Sequence, residues 1–359
     1  MRVVIAPDSF KGSISAADAA EAIARGWASS RPGDELILLP QADGGEGTLD
    51  ALEAANPGGV RRSAGLVTGP DGRPVPGEWL ELPDGTAAVE LAQMSGLPLM
   101  GRLDPLGATS RGLGEVIAAA LDALARRSGS AAQSSDTVAP HPGADARRLV
   151  VALGGSASTD AGLPALEAIG ARVPPPGGVI LLTDVDAPLL GPRGAAAVFG
   201  PQKGADPDDI ARLEARLDEA ARLLGFDPET PGAGAAGGVG YGLAAWASRA
   251  GSGARIEAGS RYVAEHTGLP AAVASAEVVL TGEGRFDEQS LTGKVVGNAL
   301  GLCREAGAVP GVIAGLVAHD PGCWSAALAD LAGSADAALA EPARWLEAAG
   351  REAARALGA

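Results

Sequence analysis

Four short stretches of this chain crowd carboxylates, hydroxyls and cations among glycines. Asp8-Ser9-Phe10-Lys11-Gly12-Ser13 sets a carboxylate, two hydroxyls and an ammonium side by side. Ala42-Asp43-Gly44-Gly45-Glu46-Gly47-Thr48 separates two carboxylates by a flexible glycine pair, and hard oxygen donors on open backbone suit magnesium or a substrate hydroxyl. A third stretch, GGSASTDAG, begins at Gly154. The fourth, Thr281-Gly282-Glu283-Gly284-Arg285-Phe286-Asp287 with Thr292-Gly293-Lys294 after it, joins a guanidinium fork to a compact ammonium. That pairing is anion-site chemistry. Part of the polarity has a plainer reading, because Ser15 with Asp18, and Asp43 with Glu46, are also spaced as capping boxes.

The lysine usage points the same way. Of 28 basic residues only three are lysine, and Lys11, Lys203 and Lys294 each adjoin a glycine. A phosphate site needs a compact ammonium beside backbone that is free to approach an anion. No G-x-x-x-x-G-K-[ST] loop occurs, and the protein-kinase signature set is absent. His141, His266 and His319 are isolated, which argues against a His-based zinc site or a Ser-His-Asp hydrolase.

Apolar, β-branched runs precede these stretches and read as buried parallel strands: Arg2–Ala6, Leu36–Leu39, Leu149–Leu153, Val179–Thr183, Glu277–Thr281 and Gly311–Val317. Alanine-rich segments of helical spacing lie between many of them. One starts at Asp206, with Pro207 at the first helical position and apolar residues at Ile210, Leu213, Leu217, Ala221 and Leu224. Strand–helix alternation predicts an α/β protein with polar loops at the strand ends, where ligands bind in open sheets. Ser334–Ala340 reads as a last strand, which completes a flavodoxin-like order 2-1-3-4-5 from residues 1–55 and 276–359. Residues 56–275 read as a second α/β domain inserted into the first, opening with the strand signals GEWLEL and TAAVEL. The stretch 128–146, poor in bulky apolar residues, reads as a mobile surface loop.

Composition narrows the class. The net charge of −16 and 3% aromatic content argue against nucleic-acid and anionic-membrane partners. Two cysteines, Cys303 and Cys323, suit reduced thiols in a cytoplasmic protein. The opening MRVVIAPDSFKGS reads as a first strand, not a signal peptide.

APDSFKGSISA, ADGGEGT, PLGATSRGLGEVI, ALGGSASTDAG, DVDAPLLG, VFGPQKGA, GAGAAGGVGYGL and TGEGRFDEQSLTGK together resemble the successive motifs of the type I glycerate kinases. Thr159 and Ala187 stand where that family usually has Asn, and Leu113 replaces a Thr. The resemblance implies ATP-dependent phosphorylation of D-glycerate with Mg2+, in a flavodoxin-like domain carrying an inserted domain, with the site between the two. Many bacterial relatives make 2-phosphoglycerate, which favours that product over the 3-phosphate. On this footing Lys11, Arg285 and Lys294 neutralise the nucleotide phosphates and the glycerate carboxylate, while Asp43 and Glu46 hold magnesium. Asp8 takes the hydroxyl proton, with Asp184, Asp186 and Asp287 as competitors. Ser9, Gly44, Gly45, Ser156, Lys203, Gly282, Glu283 and Gly284 complete the expected substrate and phosphate contacts. The alternative is a non-catalytic carboxylate- or nucleotide-binding regulator that kept the loops.

Overall fold

The computed structural model describes residues 1–131 and 147–358. Its strands are β1 (Arg2–Pro7), β2 (Glu35–Leu38), β3 (Val60–Thr68), β4 (Pro74–Glu81), β5 (Ala87–Glu90), β6 (Leu149–Ala152), β7 (Val179–Leu182), β8 (Ala254–Glu257), β9 (Val278–Phe286), β10 (Val309–Val317) and β11 (Trp324–Ala327). The chain forms two compact units, one of Met1–Asp43, Asp50–Ala55 and Gly259–Ala359, the other of Gly44–Leu49 and Asn56–Ala258.

In the first unit the sheet runs β11-β10-β9-β1-β2 with every pair parallel. Counted within the unit this is the order 2-1-3-4-5. The continuous apolar run of β1 follows from burial on both faces. Val3 and Ile5 pack with Ile23, Trp27 and Leu346 on one side, and Val4 and Ala6 pack with Leu269, Val273 and Cys303 on the other. Helices Ala16–Ser30 and Pro342–Leu357 approach closely because a Cβ at Gly26 would meet Glu347 O at 2.0 Å.

Two sequence expectations are corrected here. Ser334–Ala340 is not a strand: Ser334 caps the helix Ala335–Ala340 by accepting from the Ala337 N–H, and the alanine-rich run then follows its helical propensity. The fifth strand is β11, whose Trp-Ser-Ala-Ala lacks a β-branched run. The stretch after Thr281 is also not a loop. β9 continues through Phe286, paired with β10 from Val309↔Val278 to Val317↔Phe286. Glycines on both strands permit this pairing, since a Cβ at Gly282 would sit 2.0 Å from Ile313 O and one at Gly315 would sit 2.4 Å from Gly284 O.

The second unit holds a six-stranded sheet, β3-β4-β5-β6-β7-β8, antiparallel across β3, β4 and β5 and parallel from β5 to β8. β3 escaped the sequence reading because Arg61 and Arg62 and a register shift between Ser63 and Gly65 break its alternation. The core gathers Val89, Val151 and Leu181 from the sheet with Leu113, Val116 and Ile117 of the helix Arg111–Ala131 and Val239 and Leu243 of the helix Ala235–Arg249. The helix Pro207–Leu224 begins as its sequence predicts, with Asp206 accepting from the Asp209 N–H. Residues 128–131, expected in the mobile loop, belong to the helix Arg111–Ala131. The rest of that expected loop, 132–146, lies outside the described residues. The units divide at Gly259 and not at 276, because the helices Gly259–His266 and Leu269–Val273 bury Ala264, Leu269 and Val273 with β1 and β9 side chains.

Candidate active site

In the first unit, β1 and β9 are the neighbouring strands from which the connections depart in opposite directions. A topological switch point of this kind opens a crevice beyond the strand ends. Asp8 stands directly after β1, its N–H donating to Gly282 O on β9 at 2.8 Å. Thr281 Oγ1 stitches the same two strands by donating to Ala6 O at 3.0 Å. The Asp8 carboxyl accepts from the Ser9 N–H at 2.7 Å. Burial drives its pKa well above the usual carboxylate range, with the Asp43 carboxylate and then Glu283 adding to the rise, against the Ser9 hydrogen bond and Lys11. Glu283 is likewise raised, first by burial, with Asp287 and Asp43 adding to it against the Ser290 hydrogen bond and Lys294. Its Oε1 is buried without a hydrogen-bond partner. Asp8, Asp43 and Glu283 therefore form one electrostatically linked carboxylate group.

Cations flank this group. Lys11 is exposed, and Lys294 is half-buried at the N-cap of the twelve-residue helix Val295–Ala306, where it makes no side-chain cap. A helix start with an ammonium beside it is chemically suited to an anion. Arg285 is exposed, 3.7 Å from Asp287. Asp287 has a structural duty: it accepts from the Gln289 N–H while Ser290 Oγ accepts from the Asp287 N–H, a reciprocal cap for Glu288–Leu291. Gly282 and Gly284 lie inside β9: the missing side chain of Gly282 serves the close approach of β10, while a Cβ at Gly284 would face the Phe10–Lys11 backbone, 3.4 Å from Lys11 N. Sequence reasoning missed Ser260, buried, whose Oγ donates to Gly293 O at 2.6 Å and so fixes the peptide entering Lys294. A lone Ser in GSRYV gives no signal of that partnership.

In the second unit the expected residues do different work. Gly44 and Gly45 are buried, Gly44 at φ +87° against the Leu182 backbone and Gly45 against Gly154, so both have a packing duty. Glu46 is exposed. Asp186 is exposed and Asp184 half-buried. Lys203 is 2% exposed and holds the loop after β6 by donating to Ser156 Oγ at 3.0 Å, Thr159 Oγ1 at 3.4 Å and Ser158 O. Burial pushes its pKa down to about 8, against the attraction of Asp160. The Asp160 carboxyl is itself raised by burial, though it accepts from the Ser110 and Gly162 N–H groups. This lysine is a strut beneath a loop and not an open phosphate ligand. The glycine motif GAGAAGGVGYGL meets the same loop: Gly237, at φ +67°, would place a Cβ 2.1 Å from Ser158 O.

The glycerate kinase family model matches residues 3–178 and 176–358. The chain belongs to the glycerate kinase family. It is 38% identical over 360 residues to the glycerate kinase of Bacillus subtilis, covering 89% of this chain and 86% of that one. It is 35% identical over 332 residues to the glycerate 2-kinase of Escherichia coli, covering 82% and 80% respectively. Among solved structures, the Salmonella typhimurium LT2 crystal structure assigned as glycerate kinase 2 superposes with a TM-score of 0.75 at 31% identity, over 100% of this chain and 98% of that one. The family thus accounts for the α/β fold and marks this chain as an enzyme of the kinase class.

Proposed function

We propose that the protein transfers the γ-phosphoryl group of ATP to D-glycerate and releases 2-phosphoglycerate. The observation that carries this reading is the placement of Asp8, Asp43 and Glu283 at the β1/β9 switch point, with Lys294 at a helix start in the same unit. Family membership supports the acceptor, and the Escherichia coli relative named a 2-kinase supports the position of transfer.

Phosphoryl transfer asks for positioning and charge neutralisation more than covalent help. Lys294 and the N–H groups of its helix hold phosphate oxygens, with Arg285 and Lys11 as mobile counter-charges. Asp8, anchored through its N–H to Gly282 O, receives the proton of the attacking hydroxyl; its raised proton affinity suits that role. Among the described residues no group of three His, Cys, Asp or Glu is spaced to hold a metal ion alone. The hard carboxylates and the orphaned Glu283 Oε1 nevertheless fit magnesium, which normally takes one or two carboxylates and completes its shell with phosphate and water. Asp43 and Glu283 would hold it, in place of the expected pair Asp43 and Glu46, and its chemistry there is neutralisation of phosphate charge.

The test is an ADP-release assay with D-glycerate, with the product read by phosphorus NMR. ADP release with a phosphate on the 2-oxygen is expected, together with loss of turnover in excess chelator. Binding of D-glycerate or ATP without ADP release would establish the regulator reading instead.

A further inference from the structure

We propose that Glu90 is a positioning residue for the Asp43–Thr48 loop, its buried carboxylate occupying the helix start that an outside anion would otherwise take. Glu90 closes β5, beside Ala152 of β6, and is 2% exposed. Its Oε1 accepts from the Gly47 N–H at 3.2 Å and its Oε2 from the Leu49 N–H at 3.1 Å. Those are two of the otherwise unpaired donors at the start of the helix Thr48–Ala55.

The position ahead of Thr48 is Gly47, which has no side chain to cap with. A local Ser or Asp would stabilise the helix as well, but would not locate it. A carboxylate from 43 residues away does locate it, because it ties the helix start to the end of β5. The loop is held on a second side by the Gly154 N–H, which donates to Gly44 O at 2.9 Å, and closes on itself through Thr48 Oγ1 donating to Gly45 O at 2.8 Å.

This arrangement carries a specificity consequence. A helix start with free N–H groups attracts phosphate. Here the Glu90 carboxyl already accepts from the Gly47 and Leu49 N–H groups, so these donors are not open to phosphate, and what the loop offers to a hydroxyl or a cation is Asp43. In the glycerate kinase reading, on which this part rests, the loop serves the acceptor and the metal, not the nucleotide phosphates.

Glu90→Gln separates these ideas, since the amide keeps the volume but can accept from only one N–H while its own NH2 faces the other. Hydrogen exchange of the segment 44–49 is measured with kcat and with KM for D-glycerate and ATP. The expected result is a folded variant whose segment 44–49 exchanges about 10- to 100-fold faster, the loss of one charge-assisted hydrogen bond. A similar fall in kcat is expected, with KM for ATP unchanged. Unaltered exchange in that segment, or a wild-type kcat, would overturn the proposal. Should Glu90→Gln not fold, Glu90→Asp is read in the same way. If the wild-type enzyme itself releases no ADP with D-glycerate, the functional reading fails, while the exchange measurement still decides the role of Glu90.

Discussion

A lysine sealed from water under the Ser156–Asp160 loop is costly, and its cost is measurable through pH. The Lys203 pKa is about 8 in the folded chain against 10.5 for an ordinary lysine. Below pH 8 both folded and unfolded chains carry the proton, and the fold bears the whole burden of the buried cation, about 3 kcal/mol. Between about pH 8 and 10.5 the unfolded chain holds more protons, so this group makes stability rise with pH. Chemical denaturation of wild type and Lys203→Met at pH 7 and 9.5 should show wild type gaining about 2 kcal/mol relative to the variant. A constant difference would show that the ammonium is not buried as described. Lys203→Arg should lower the melting temperature sharply, because a planar guanidinium cannot reuse a space closed around three acceptors. Lys294→Arg should behave in the opposite way, melting like wild type while kcat falls about 100- to 1000-fold through a misplaced charge at the transferring group. The lysine count and glycine neighbours mark all three lysines alike. What separates them is burial by partners far along the chain, such as Ser156 for Lys203, and no local pattern carries that.

Strands and helices were legible to the degree that burial on two faces imposes a continuous apolar run. β1, β6, β7 and the core of β9 have such runs, and the 2-1-3-4-5 order of the first unit was legible from strand–helix alternation although its fifth strand is β11 and not Ser334–Ala340. β8 and β11, four residues each with polar members, have none. The extension of β9 through Gly-Glu-Gly-Arg was hidden because glycine in a strand reads as a turn unless a neighbour's closeness is known. That closeness predicts the phenotype of Gly282→Ala: its new Cβ would overlap Ile313 O, forcing β9 and β10 apart at a cost of about 3 kcal/mol. Circular dichroism melts of Gly282→Ala beside Gly33→Ala, where no atom lies within 4 Å of the added carbon and φ is not positive, provide the comparison. Equal melting temperatures would contradict the strand reading of residues 281–286.

The whole chain carries a net charge of −16, yet its described chemistry gathers both carboxylates and the three lysines into small neighbourhoods. Millimolar magnesium should therefore raise the melting temperature of the wild-type protein more than that of Asp43→Asn, since binding to the folded state alone stabilises it. Equal shifts would assign the effect to general screening.

The separation of β1 from β9 along the chain has a consequence during synthesis. β1 finds β2 early, but the strand on its other side, β9, begins only at Val278. At ~5–20 residues per second, that strand leaves the ribosome roughly 15–55 s after β1. The second unit, complete by Ala258, can close its own sheet within this interval. Val3, Val4 and Ile5, wholly buried in the finished protein, meanwhile hang from the nascent chain with one edge unpaired. Slow translation thus lengthens the exposure of that unpaired edge, and a nascent chain halted with residue 258 outside the ribosome and β9 not yet emerged should expose β1 to limited proteolysis while the second unit resists it.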